Sequence, residues 1–409
     1  MRVATSTFYQ LGLAAMNGQQ SSLLHTQQQL GTGRRVLTPS DDPVAATRAL
    51  SVSQARGVNG QYAASRTQAN NNLALEEKTL QSIITTIQNI QTKLVNGGNG
   101  TMSPEDRAAV ATELESNYKQ LLGLANADDG NGEYLFAGTK SGTPPFISSN
   151  GGVEYVGDTN SQLLQVDVAR QMAIGDHGRD VFLSVTGSAN YVLKAGAANE
   201  GNVRYSALSV TNPSDPLYGH NFDVTFAIDG VTGETTYSVM DNTVVPPAAV
   251  GTPTPYVSGE SITVGGISVT LTGTPADGDT MRIAPAREMG TDVFANIQSA
   301  IDALRSPVLN DADQAALDNA LATATRQMSN SLDNVLTVRA SVGARMNELD
   351  ALDTIGENRD LNYEGTLTNL QSLDYAAAIT EYYQRSTALQ AAQQSFIQIQ
   401  GMNLFKFLR

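Results

Sequence analysis

The chain is 409 residues long, enough for two or three domains with a sizeable core. Asp plus Glu outnumber Lys plus Arg by 40 to 25, and the net charge of −15 argues against general affinity for nucleic acid or anionic lipid. Cysteine is absent, which excludes disulfides, thiolate metal sites and thiol catalysis, and the longest apolar run, near Leu11 to Met16, is far short of the ~20 residues that span a bilayer.

Met1-Arg2-Val3-Ala4-Thr5-Ser6 has one basic residue and no apolar h-region, so a cleavable secretory signal is not expected. Leu13, Met16, Gln20, Leu23, Gln27 and Leu30 then recur at spacings of three and four, predicting a helix with a single weak stripe, two of its positions being Gln. Gly31-Thr32-Gly33 ends it. In the following turn, Pro39-Ser40-Asp41-Asp42-Pro43, Asp42 can cap a second helix with Pro43 as its first residue. That helix runs toward Leu94 on the stripe Leu73, Leu80, Ile83, Ile87, Ile90 and Leu94, far more apolar than the first. Ser103-Pro104-Glu105-Asp106 restarts a helix with a cap, a first-turn proline and a capping-box acid, burying Val110, Leu114, Tyr118, Leu121 and Ala125.

Near Asp128 the apolar period changes to two. Strands are expected at Glu133–Gly138, Val153–Val156, Leu163–Val168, Phe222–Ile228, Thr235–Met240 and Ile262–Leu271, separated by Gly, Asn and Pro turns. Helical spacing returns near Asp292. Leu321, Met328, Val335, Val342 and Leu349 recur every seventh residue, supported by Leu332 and Met346. A helix from Asp311 to Ile355 would be ~65 Å long and needs a partner along its length, for which the second helix has the right size. A polar break after Gly356 precedes a last stripe of Tyr375, Ala378, Tyr382, Leu389, Ala392, Phe396 and Ile399, crossed once by Arg385, and an apolar tail, Leu404-Phe405-Lys406-Phe407-Leu408-Arg409.

The layout is nested, and the fold class expected is α+β: a long-helix, coiled-coil-like bundle formed by the N- and C-terminal regions, with an inserted β-rich domain. The expected division is 1–42 with 360–409 as terminal helices, 43–140 with 288–359 as the helical bundle, and 141–287 as the insert. Residues 1–60 and 370–409 are close to neutral, so the acidity is concentrated between them. The nested layout places both chain ends on the same side of the bundle, able to pair, and the two terminal stripes, weak alone, make sense if their partners come from other subunits.

Leu30-Gly31-Thr32-Gly33-Arg34-Arg35-Val36-Leu37-Thr38-Pro39-Ser40-Asp41-Asp42-Pro43 resembles the N-terminal signature of the flagellin-like superfamily, in the form found in its hook–filament junction branch. Two other stretches share that resemblance: Leu124-Ala125-Asn126 through Gly130-Asn131-Gly132-Glu133-Tyr134-Leu135-Phe136-Ala137-Gly138, and the ending from Leu373-Asp374-Tyr375-Ala376 to Leu404, Leu408 and Arg409. The similarity covers about the first 145 and last 85 residues, and the middle resembles the variable outer domain only loosely. It implies a structural axial protein of the bacterial flagellum, exported unfolded by the flagellar type III apparatus without a cleaved signal and therefore extracellular. It further implies terminal helices that are disordered in the monomer and form an inner tube on assembly. The implied partners are hook-associated protein 1, flagellin, identical subunits in a ring, and an export chaperone at the C-terminal segment, with no membrane insertion.

The assembly interface expected from the stripes and signature comprises Leu23, Leu30, Arg34, Arg35, Asp41, Leu389, Phe396, Leu404 and Phe407. Arg34-Arg35 with Asp41-Asp42 reads either as an inter-subunit charge latch or as a solvated turn with a helix cap, while the tail of Phe396, Leu404, Phe405 and Phe407 reads either as an assembly or chaperone surface, the favoured reading, or as an amphipathic helix docked on its own core. No catalytic residue, cofactor site or metal site is expected: H-E-x-x-H, P-loop and G-x-S-x-G patterns are absent, and Gly31-Thr32-Gly33 lacks the strand a dinucleotide fingerprint requires. Asp277-Gly278-Asp279 and Asp311-Ala312-Asp313 lack the glycine and twelfth-position Glu of a calcium loop and read as a turn and a helix cap. Two alternatives compete with the junction reading. One is a filament-forming flagellin, disfavoured by Pro43 and the Phe-Lys-Phe-Leu-Arg ending; the other is a surface adhesin with a glycan-binding β domain, disfavoured by the absence of Trp.

Overall fold

The computed structural model describes residues 5–149, 152–185, 191–206 and 208–401. The chain forms two compact units, residues 1–64 with 351–409 and residues 65–350.

The first unit holds α1 (Thr5–Thr32), the start of α2 (Pro43–Gly97), the end of α6 (Asp311–Gln371) and α7 (Tyr375–Gly401). α1 packs on α7, with Tyr9 edge-on to Phe396 at 6.0 Å. Within this unit α2 and α6 are joined by polar contacts: Arg56 grips Asp360 through two bonds of 2.8 and 2.9 Å, and Asn59 donates to the Gly356 carbonyl at 2.9 Å. The polar break expected after Gly356 is absent, because α6 runs on to Gln371. A glycine inside a helix costs only ~1 kcal/mol relative to alanine, and the buried Asn59 amide binds the backbone at that turn. The α1 stripe also differs from expectation. Leu13, Gln20 and Gln27 face solvent, whereas Gly12, Met16 and the fully buried Thr26 turn inward. Gly12 wins its place because Phe396 needs close approach: a Cβ there would lie 3.0 Å from the ring.

In the second unit the stronger stripes form the core. Leu73, Leu80, Ile83, Ile87, Ile90 and Leu94 of α2 are buried, as are Leu321, Met328, Val335, Val342 and Leu349 of α6. Arg339 of α6 holds Glu77 of α2 with bonds of 2.9 and 2.7 Å. α3 (Pro104–Ala125) starts with the expected capping box, Ser103 and Asp106 bonding reciprocally, and packs against α5 (Val293–Arg305), which Asp292 caps. Among the α3 positions expected to be buried, Tyr118 is only half-buried, its ring edge-on to Phe294 at 5.8 Å.

Two hairpins precede the main sheets: β1 (Phe146–Ser149) with β2 (Gly152–Tyr155), and β3 (Leu163–Asp167) with β4 (Arg170–Ala173). A short α4 (Gly178–Phe182) follows. Phe136, Phe146, Phe182 and Phe294 form an aromatic cluster with ring centroids 5.2 to 5.8 Å apart in its close pairs. Phe136 belongs to Glu133–Gly138, which is not the strand expected. Its backbone bonds to loops and turns instead: Leu135 N–H to the Ala127 carbonyl at 3.0 Å, Tyr134 N–H to the Ser141 carbonyl at 2.7 Å, and the N–H groups of Gly178 and Asp158 to the Phe136 and Ala137 carbonyls at 2.8 and 2.9 Å; Gly138 turns the chain at φ +67°.

The remaining strands are β5 (Tyr191–Ala195), β6 (Arg204–Tyr205), β7 (Ser209–Val210), β8 (Phe222–Ile228), β9 (Thr235–Asp241), β10 (Ala248–Ala249), β11 (Thr254–Pro255), β12 (Ser261–Val264), β13 (Ile267–Thr272) and β14 (Thr280–Pro285). They form two antiparallel sheets, one ordered β10-β9-β8-β14-β5 with β11 also on β9, the other β12-β13-β6 with β7 also on β13. Their core gathers Phe222, Val224 and Phe226 with Ile262, Val264, Val269 and Leu271. The single strand expected over Ile262–Leu271 is a hairpin. Gly265 and Gly266 both have positive φ, the requirement of a two-residue type I′ turn.

A second, polar stripe on α6 docks this insert. Asn319 donates to the Val203 carbonyl at 2.7 Å, Thr323 to Leu193 at 2.8 Å, Gln327 to Met289 at 2.9 Å, and Asn334 to Asp180 at 2.6 Å. Positions 319, 323, 327 and 334 lie on one helical face, so three buried side-chain amides and the Thr323 hydroxyl satisfy backbone carbonyls.

Candidate assembly interface

The signature segment lies in the first unit and closes it on itself. Gly33 ends α1 in the left-handed region at φ +68°, where its N–H reaches the Gln29 carbonyl at 2.9 Å. The chain then runs beside the α6–α7 connection. Leu373 N–H donates to the Gly33 carbonyl at 3.0 Å, Arg35 N–H to the Gln371 carbonyl at 2.8 Å, and the Arg35 guanidinium to the Leu370 carbonyl at 3.1 Å. Arg34 forms an antiparallel bridge with Ser372, and its side chain is exposed. A side chain at Gly33 would collide with the Tyr375 hydroxyl, 2.8 Å from its Cβ position.

The four charged residues divide their work. Asp42 caps α2 by accepting the Ala45 N–H at 3.0 Å while its other oxygen meets Arg35 at 3.1 Å. Asp41 accepts the N–H groups of Leu37 and Thr38 at 2.9 and 2.8 Å, and its second oxygen meets His25 at 3.2 Å. The backbone donor of Thr38 holds Asp41 below the ordinary carboxylate range, and the Ala45 donor, followed by Arg35, does the same for Asp42. Arg35 and Asp42 are therefore brought together; Arg34 and Asp41 are not. Asp374 starts α7 in the same manner, accepting Ala376 and Ala377 N–H groups at 3.0 and 3.1 Å.

The apolar candidates lie along α1 and α7. Leu23, Leu30, Leu389 and Phe396 are half-buried. Leu404 and Phe407 lie outside the described residues. Large apolar side chains that the stripe reading did not single out stay exposed on the same unit, among them Leu24 at 52%, Leu50 at 61%, Leu361 at 67% and Ile397 at 66%. A helical wheel centred on the polar residues, not the apolar ones, would have found them. Among the described residues no three His, Asp or Glu side chains cluster as a metal site, and no helix is long and apolar enough to cross a membrane. Asp279 is tied up by Glu200, Gly201 and Ala276 N–H groups, and Asn310, not Asp311, accepts the Asp313 N–H at the start of α6.

Residues 3–141 match the model of the bacterial flagellin N-terminal helical region. Flagellar hook-associated protein 3 of Escherichia coli strain K12 is 34% identical over 407 residues, covering 99% of both chains, and that of Salmonella typhimurium strain LT2 is 32% identical over the full length of both. Among solved structures, hook-associated protein 3 of Legionella pneumophila superposes with a TM-score of 0.70 at 27% identity, over 78% of this chain and 98% of the other. The FlgL protein of Xanthomonas campestris gives 0.67 at 29% identity, over 78% and 99%. This chain belongs to the flagellar hook-associated protein 3 family, non-catalytic structural proteins of the extracellular hook–filament junction.

Proposed function

We propose that this subunit joins neighbours through its terminal helices, 1–42 with 360–409, which line an inner tube, that 43–140 with 288–359 form a helical bundle, and that 141–287 is an inserted β-rich outer domain. The observation that carries this reading is the row of exposed Leu, Ile and Tyr side chains on α1, the start of α2, the end of α6 and α7. A folded monomer gains nothing from so much apolar surface in water, whereas a ring of identical subunits stacked between two other helical proteins buries it. Leu23, Leu30, Arg34, Arg35, Asp41, Leu389 and Phe396 belong to that surface or position it, and Leu404 and Phe407 extend it.

The partners on either side are hook-associated protein 1 and flagellin. In the monomer before assembly the terminal helices are disordered, the chain leaves without a cleaved signal, and before export a chaperone covers the C-terminal segment. Weakly striped helices suit this cycle because they gain most of their stability from neighbours. Co-sedimentation of the purified chain with hook-associated protein 1 and with flagellin, with and without residues 375–409, tests the assignment. Binding that depends on that segment is expected; equal binding by the shortened chain would move the interface elsewhere.

A further inference from the structure

Glu76 of α2 is 1% exposed, and its Oε2 has no hydrogen-bond partner among the described residues. Its Oε1 accepts the Asp176 N–H at 3.1 Å. Glu76 borders a small cavity of about 50 Å³ whose lining includes Asn72, Ile174, Gly175 and the carboxylates Asp129, Glu133 and Asp176. A Cβ on Gly175 would lie 3.9 Å from Oε2, so the segment after β4 covers this carboxylate directly.

That segment is held to the helices at several points. Arg345 of α6 pairs with Asp176 and donates to the Ala173 carbonyl at 3.0 Å. Arg66 of α2 donates to the Val166 carbonyl at 3.1 Å, and Arg170 meets Glu348 at 2.6 and 2.7 Å. Each of these ties rests on an arginine. Glu76 is different: it is a carboxylate with one free oxygen, and the covering segment adds a second carboxylate, Asp176, beside it.

We propose that Glu76 is a proton-operated latch, which in its neutral form lets the β3–β4 hairpin and the Gly175–His177 segment lie against α2 and on ionising releases them. The charged and titratable groups that face Glu76 are Asp176 from the covering segment, Arg345 from α6, and Asp129, Glu133 and Tyr134 across the cavity from the loop after α3. His177 is engaged elsewhere, its ring accepting the Asp180 N–H at 3.3 Å. Burial foremost, and then the Asp176 carboxylate, push Glu76 well above the ordinary carboxylate range, against the pull of Arg345. The sign follows. A carboxyl with a raised folded-state value is most stabilising below its unfolded value, and the closed state loses that advantage as pH climbs to the folded value. One proton distinguishes the closed and open states, so the opening equilibrium rises by up to about tenfold per pH unit inside that window and levels off above it.

Hydrogen exchange of the full-length chain, read by mass spectrometry on peptides spanning 162–177 and corrected for intrinsic exchange, tests the latch. Wild type is expected to lose protection with rising pH at up to about that slope, whereas Glu76→Gln, which keeps the acceptor for Asp176 N–H, stays protected throughout. A Glu76→Gln profile parallel to wild type would overturn the proposal. So would a pH-independent wild type whose protection rises on adding magnesium or calcium chloride, since a cation would then be the partner of Oε2. If Glu76→Gln does not fold, Asp176→Asn serves instead: it removes the like charge and is expected to shrink the pH window, and an unchanged window would reject the latch.

Discussion

Arg56 and Asp360 meet as a two-bond ion pair, Nε to Oδ1 at 2.8 Å and Nη2 to Oδ2 at 2.9 Å, with Glu364 one turn further on α6 touching the same guanidinium at 3.3 Å. The bond and charge of Arg56 hold Asp360 below its ordinary value. A depressed carboxylate contributes stability above its unfolded value and loses it as pH falls through the folded one. Exchange protection at the 351–371 end of α6 is therefore expected to drop below pH ~4 and with added salt. Asp360→Asn should remove both dependences, and a variant with unaltered salt dependence would show that the pair is idle.

The core stripes set the stability of the second unit. Leu80 is fully buried, so Leu80→Ala is expected to cost about 2–5 kcal/mol in denaturant unfolding. Val335→Asp places an unpaired charge in the same interior and should abolish cooperative unfolding altogether. A loss below about 1 kcal/mol for Leu80→Ala would mean that the stripe is not the core.

The sequence made these inner stripes legible because their positions are nearly all Leu, Ile, Val or Met, and a 3.6-residue period of such residues has no other use. α1 was less legible. With Gln at two of six positions the stripe could rotate, and what fixed its true face was Phe396, 384 residues away, demanding a glycine at position 12. Gly356 looked like a stop because the helix on either side is polar, but the polar residues there, Asp360 and Glu364, serve Arg56 on α2. Tyr134 to Ala137 alternates like a strand, yet among the described residues it pairs with no named strand, and its backbone bonds go to loops and turns at Ala127, Ser141, Asp158 and Gly178. The Arg35–Asp42 pair could be read from the signature; the clasp of that turn onto Leu370 to Leu373 could not, since it depends on tertiary pairing.

The dock of the insert on α6 depends on amides. Asn334→Ala strands the Asp180 and Val181 carbonyls, now bonded at 2.6 and 3.2 Å, and is expected to cost about 1–3 kcal/mol in thermal or denaturant unfolding. Asn334→Asp should not rescue it, because a carboxylate cannot donate to a carbonyl. Recovery by Asp would exclude the donor role.

At the β12–β13 turn, Gly266 has φ +72° and a Cβ there would run into the Asn212 carbonyl oxygen. Gly266→Ala is expected to destabilise the two-sheet insert by ~2 kcal/mol or more while leaving helical circular dichroism intact. A wild-type melt would show that the turn relaxes freely.

The capping box at α3 offers a smaller effect. Ser103→Ala removes the acceptor of the Asp106 N–H, 3.1 Å away, and should cost about 1 kcal/mol, visible as a lower melting temperature.

The proposed function divides the chain into stripes that fold the monomer and exposed apolar residues that assemble it. Immunogold labelling of flagella, on cells whose sole copy of this protein carries Leu24→Asp, measures that division most directly. Wild type should label a single band where hook meets filament. The variant, with the melting of the purified protein unchanged, should leave hooks unlabelled and bare of filament. A Leu24→Asp protein that labels the joint as wild type does would contradict the account, and so would wild-type label spread along the whole filament.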